Sequence, residues 1–173
     1  NIEMMEKNVL SSSDYISYSQ LIVMTRNASR LKEFGWSMKF LNEYKDKLDP
    51  KHKDYAVNYS MAEMYYEQKK YDEALKYLSG TTIEFSSEKM QVKNMMLKIY
   101  YDTDSIENIF SLVDSCRHFL KSDRKLIENR KKLFIQFLNF VSQLIDIKLK
   151  PDPAKLSVMK KDLDKSGYFA NKD

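Results

Sequence analysis

The chain resembles itself at a fixed spacing, and that self-similarity limits its possible folds more than any other feature. The octet Tyr71-Asp72-Glu73-Ala74-Leu75-Lys76-Tyr77-Leu78, shifted back by 37 residues, falls on Phe34-Gly35-Trp36-Ser37-Met38-Lys39-Phe40-Leu41. Aromatic meets aromatic at 34/71 and 40/77, small meets small at 37/74, and Leu meets Leu at 41/78. Shifted forward by 35 residues, the octet falls on Ile106-Glu107-Asn108-Ile109-Phe110-Ser111-Leu112-Val113, a weaker match that keeps the apolar positions. A period of about 20–50 residues marks stacked supersecondary units that bury their apolar faces only against neighbours.

Apolar residues recur at helical spacing along almost the whole chain, so each unit is read as a pair of helices. The spacing predicts helices over about 14–31, 35–48, 52–68, 71–79, 88–102, 105–121 and 125–149, with a last one opening at Asp152-Pro153. The punctuation supports these bounds. Asp14 stands near the first N-terminus, Asp49-Pro50 follows the second helix, and Gly80 follows the fourth. Ser105 is placed to cap the sixth, and Pro153 suits a first helical position. Gly35 is read as part of a hairpin turn. The segment 81–87 (TTIEFSS) is β-branched but too short and isolated to build a sheet.

Composition removes much of the chemical menu. Three glycines, all isolated, cannot form a phosphate-cradling GxGxxG or GxxxxGK[ST] loop. One cysteine forbids an internal disulfide, and Cys116 with His52 and His118 falls short of a four-ligand zinc site. Cys116 and His118 are two apart on a helix and face different sides, so they form no dyad. No catalytic, cofactor-binding or metal site is expected. Acidic pairs such as Asp72-Glu73 sit at helix starts, where they favour the positive end of the helix dipole. No run of 18 apolar residues is present, so no membrane span is expected. A single thiol fits a reduced, cytoplasmic setting. A first residue that is Asn rather than Met reads as the start of a fragment.

Residues 56–78 (AVNYSMAEMYYEQKKYDEALKYL) resemble a tetratricopeptide repeat, a helix–turn–helix of about 34 residues. Met61, Ala62 and Tyr65 occupy the Leu, small and Tyr positions of that family's first helix. Tyr71, Ala74 and Leu78 occupy the aromatic, alanine and large positions of its second. Ala62 and Ala74 would let two helices approach closely, while Tyr65, Tyr71 and Leu78 fill the space beside them. The same positions hold Met24, Thr25, Ala28, Phe34, Ser37 and Leu41 one unit earlier, and Met96, Leu97, Tyr100, Ile106, Ile109 and Val113 one unit later. Leu97 and Ile109 are too large for the close approach, which predicts wider or tilted spacing there. The resemblance covers about residues 19–115, and the whole chain is similar to the C-terminal part of larger bacterial helical-repeat proteins.

The resemblance implies an all-α, right-handed superhelix of antiparallel hairpins with C-terminal capping helices. Repeats would occupy about 14–50, 51–87 and 88–124, and a cap and tail would follow over 125–173 in the same domain. It also implies a concave groove that binds a protein or peptide, lined by the first helix of each repeat. The positions carried over are Ser19, Ile22, Arg26 and Ser29; Ala56, Tyr59, Glu63 and Tyr66; and Gln91, Asn94, Lys98 and Tyr101. Of these, Arg26, Tyr59, Glu63, Tyr66, Asn94, Lys98 and Tyr101 are the candidate recognition residues, the alternative being that Tyr59 and Tyr66 only pack against adjacent helices. Ser19, Val23, Ala56, Ser60, Gln91 and Met95 stand where chaperone-docking members clamp a terminal carboxylate. None is a cation, which argues against that variant.

Charge is uneven. Residues 1–116 carry a net −3 and residues 117–173 a net +7. Arg117, Lys121, Arg124, Lys125, Arg130, Lys131 and Lys132 form a basic corner. It reads first as a solvated helix–loop–helix turn, and alternatively as the face of a nucleic-acid-associated regulator, a less favoured partner class. The segment 133–149 (LFIQFLNFVSQLIDIKL) is the most apolar, with Phe134, Phe137, Leu138, Val141, Leu144 and Ile145 in one stripe widened by Phe140 and Ile147. It is read as a cap, with homodimerisation as the second use and a membrane surface as the third.

Overall fold

The computed structural model describes residues 16–165. The helices are α1 (Tyr18–Arg30), α2 (Phe34–Tyr44, continued by a 3-10 turn over Lys45–Lys47), α3 (Pro50–Glu67) and α4 (Tyr71–Ser79). They continue as α5 (Ser86–Asp102), α6 (Ile106–Ser122), α7 (Glu128–Leu149) and α8 (Pro153–Lys165). Among the described residues there is no strand, and the protein is all-α.

Local chemistry explains the bounds. Ser17 starts α1 through a capping box: its hydroxyl accepts from Gln20 N at 3.2 Å, and Gln20 Oε1 accepts from Ser17 N at 2.9 Å. Asp14, assigned to this helix start, lies outside the described residues. α3 begins at Pro50, earlier than the expected 52, because Asp49 accepts from Lys51 N at 2.9 Å and Pro tolerates the first helical position. α7 begins at Glu128 rather than 125. Asp123 accepts from Lys125 N at 2.9 Å and Leu126 N at 2.7 Å, and this holds the preceding residues in a turn. Asp152 caps α8 by accepting from Ala154 N and Lys155 N. Ser105 precedes α6 as expected but makes no capping bond; its hydroxyl meets Thr103 Oγ1 at 3.0 Å. Gly35 lies within α2 rather than in the turn before it.

The hairpin turns repeat in detail. Lys32 (φ 65°), Lys69 (φ 60°) and Asp104 (φ 54°) are left-handed, at spacings of 37 and 35 residues. Around each, the same backbone bond closes the helix end: Glu33 N donates to Ala28 O, Lys70 N to Tyr65 O, and Ser105 N to Tyr100 O. This is a Schellman cap, normally built on Gly, here built on Lys and Asp. Gly80, by contrast, ends α4 with φ −82° and uses none of glycine's freedom.

The described chain forms two compact units, one ending at Val92 and the other beginning at Lys93, so the division falls within α5. In the first unit, α1 packs on α2 and α3, and α3 packs on α4. Ala28, Ala62, Ala74 and Ser37 are buried at the helix contacts, with Leu21, Leu41 and Leu78. Stacked rings fill the flanks: Trp36 on Phe40 at 4.8 Å and Tyr65 on Tyr77 at 5.4 Å. In the second unit, α6 packs on α7 and α7 on α8. Phe134, Leu138 and Ile145 turn inward, while Phe137, Val141 and Leu144 are half-buried, so the apolar stripe of α7 is largely covered within its own chain. Leu97 and Ile109 are both buried.

Candidate interaction surface

The first helices of the first unit are joined by side chains one repeat apart. Arg26 donates from Nε to Glu63 Oε1 at 2.9 Å, and its Nη2 lies 2.9 Å from the same oxygen, a separation of 37 residues. Thr25 Oγ1 meets Ser60 Oγ at 3.0 Å across 35 residues, and Lys32 Nζ donates to Glu67 O at 2.9 Å across 35. His52 Nδ1 lies 2.6 Å from Glu88 Oε1 and Tyr55 donates to Gln91 Oε1 at 2.9 Å, both across 36 residues.

Aromatic rings accompany these bonds. His52 lies between Tyr18 (4.2 Å, 14°) and Phe85 (4.6 Å, 21°), stacked on both faces. Tyr18 meets Tyr55 edge-on, and Tyr55 leans on Tyr59 at 5.5 Å. The Arg26 guanidinium lies 5.8 Å from the Tyr59 ring centre. Burial, then the neighbouring Glu63, pushes the Tyr59 hydroxyl well above the usual tyrosine range; burial does the same to Tyr55. Burial opposes the Arg26 charge, but the Glu63 carboxylate outweighs it and holds the guanidinium above its ordinary value. Glu88 is 1% exposed, and its Oε2 has no hydrogen-bond partner among the described residues.

The structure therefore brings Arg26, Tyr59 and Glu63 together, but largely as a buried cluster. Tyr59 and Glu63 are each 6% exposed, so neither presents much surface to a ligand. Tyr66 is half-buried, with its ring 5.7 Å from Tyr71 of α4. Of the expected groove and clamp positions on α1, Ser19 and Val23 are exposed and Arg26 is partly so. In the second unit, Asn94 is buried with Oδ1 unpaired among the described residues, and Lys98 is half-buried. Tyr101 is covered by Lys148, whose ammonium lies 4.6 Å from the ring centre and pairs with Asp104. That hydrogen bond to Asp104 raises the Lys148 pKa.

Sequence reasoning missed His52, Glu88, Tyr18 and Tyr55. The repeat spacing was the signal that could have found them, since opposite charges or paired polar groups recur at 35–37 residues. Among the clamp positions, Ala56, Ser60 and Met95 are buried, and Ser60 is bonded to Thr25.

The basic corner lies wholly in the second unit. Arg117 is tied to Asn139 and Ser142 of α7 at 3.3 and 3.1 Å, and Lys131 to Glu128 at 3.1 Å. Lys121, Arg124, Lys125, Arg130 and Lys132 are exposed and pair with no carboxylate among the described residues. Cys116 is buried, which pushes its thiol up to about 11, and His118 is exposed on another side of α6. Among the described residues, no group of three His, Cys, Asp or Glu is placed to hold a metal ion. No described helix is long and apolar enough to cross a membrane.

The described residues form an all-α protein in whose first unit polar side chains 35–37 residues apart bind one another. No family model, curated protein or solved structure matches the chain.

Proposed function

We propose that the chain is a tetratricopeptide-like helical-repeat module that recognises a protein or peptide partner and carries no catalysis. The observation that carries this reading is the coincidence of two spacings. The left-handed turns recur at 37 and 35 residues, and the bonds between first helices span 35–37. A superhelix of hairpins places equivalent first-helix residues side by side in this way. Recognition would use the part of that face still open: Ser19, Val23 and the outer edge of Arg26 on α1, with Tyr66 on α3. Arg26, Tyr59 and Glu63 would shape the floor rather than touch the ligand. A buried Cys116 thiol held at about 11 is a poor nucleophile at neutral pH, which favours binding over catalysis.

Selection of peptides against the full chain tests the reading. Selected peptides should lose most of their affinity on Val23→Glu and on Tyr66→Ala, and keep it on Glu73→Lys, an exposed change on α4. Helical content by circular dichroism should stay unchanged throughout. Peptides indifferent to both face substitutions in a folded protein would overturn the assignment.

A further inference from the structure

We infer that the corner between α6 and α7 is a docking site for an anionic lipid bilayer, with Ile127 as its inserting tip. The corner is built to expose this residue. The Asp123 carboxylate accepts from the backbone of Lys125 and Leu126, and Leu126, 7% exposed, anchors the turn in the protein. The next residue is extended (φ −65°, ψ 144°), which carries its side chain outward. Ile127 is 66% exposed, the most open large apolar side chain among the described residues. Ile135, 43% exposed and one turn beyond Lys131, adds further apolar surface on α7.

Cations flank this tip on both sides in the sequence. Residues 121–132 hold six Lys or Arg and two carboxylates, a net +4. Of the two carboxylates, Asp123 is bonded to the turn and Glu128 is paired with Lys131. Lys121, Arg124, Lys125, Arg130 and Lys132 keep exposed charges with no carboxylate partner among the described residues. A polybasic cluster near an anionic leaflet gains from its surface potential, and an aliphatic side chain gains from entering the headgroup–acyl boundary.

The tip decides between a bilayer and a nucleic acid, which share phosphate chemistry. Single-stranded nucleic acid is held by aromatic platforms as well as charge, and residues 120–133 contain no aromatic side chain. An exposed aliphatic tip adds nothing to phosphate contacts on a duplex but adds directly to insertion in lipid. The inference is independent of the peptide-binding face, which lies in the other unit.

Co-sedimentation of the full chain with vesicles tests it. The protein should pellet with phosphatidylcholine–phosphatidylserine vesicles and remain in solution with phosphatidylcholine alone. Arg130→Glu with Lys132→Glu should weaken binding by about tenfold or more, and added salt should do the same. Ile127→Ser should weaken it by about tenfold while leaving the salt dependence unchanged. All three residues are exposed, so the variants should keep the parent's circular dichroism. Equal binding to neutral and anionic vesicles, or no binding to either, would overturn the inference. So would anionic binding that ignores Ile127→Ser, or binding confined to duplex DNA or RNA and indifferent to that change.

Discussion

Replacing Arg26 by Met removes both donors from a carboxylate that cannot escape to water. The Glu63 side chain is 8% exposed and that of Arg26 27%. Deleting one partner of a buried pair costs about 3–5 kcal/mol, because the other charge is left uncompensated. Water can reach the outer edge of Arg26, so the cost falls below that range, to roughly 2–3 kcal/mol. The double variant Arg26→Met, Glu63→Gln removes the stranded charge and should recover to within about 1 kcal/mol of the parent. Urea unfolding followed by fluorescence isolates the relevant unit, because Trp36 is the only tryptophan and stacks on Phe40 within it. An interaction energy near 2 kcal/mol is expected from the cycle. Additive effects, with an interaction below about 0.5 kcal/mol, would refute the view that Arg26 is kept chiefly to neutralise Glu63.

Three further outcomes follow from the same structure. His52→Ala strips the hydrogen bond from a carboxylate that is 1% exposed and opens a gap between Tyr18 and Phe85. It should lower the stability of the first unit by about 3 kcal/mol in urea titration, with Glu88→Leu added to it recovering a large part. Lys69, exposed and left-handed at φ 60°, should gain about 0.5–1 kcal/mol on change to Gly, and lose stability on change to Val, in the same titration. Cys116 titrates near 11 when folded, above its ordinary value near 9, so the folded state resists ionisation more than the unfolded state does. Its contribution is present below about pH 9 and is lost as pH rises towards 11; a thiol reagent at neutral pH should react with Cys116 only after urea is added.

The helices, and the packing of the first four, were legible because they rest on short-range pattern: apolar spacing, Asp49-Pro50, Asp152-Pro153, and small residues at 37 and 74. The start of α7 moved because the Asp123 carboxylate holds the preceding turn, and that of α3 because Asp49 caps a helix opening at Pro50; Ser105 kept its place before α6 but met Thr103 instead of the helix backbone. Gly80 marked the end of α4 correctly but in an ordinary conformation, while the left-handed positions fell to Lys32, Lys69 and Asp104. The candidate surface was only half legible. Arg26 and Glu63 could be placed on equivalent faces, but a residue's face does not reveal whether its charge meets solvent or a partner 37 residues away. His52 and Glu88 were marked only by the 36-residue spacing between them, each being otherwise an ordinary polar residue until the helices are set side by side.

The spacing of those contacts restricts how such a chain could be shortened or rearranged. Excising the middle hairpin would remove Glu63 and leave the Arg26 guanidinium without its carboxylate. It would also leave Tyr18 without the imidazole it stacks on. Within the first unit the hairpins share a backbone plan but not an interchangeable set of edges, because Arg26 and His52 each meet one particular carboxylate. A duplication or deletion of one hairpin would need matching changes in its neighbours before the chain could close on itself again.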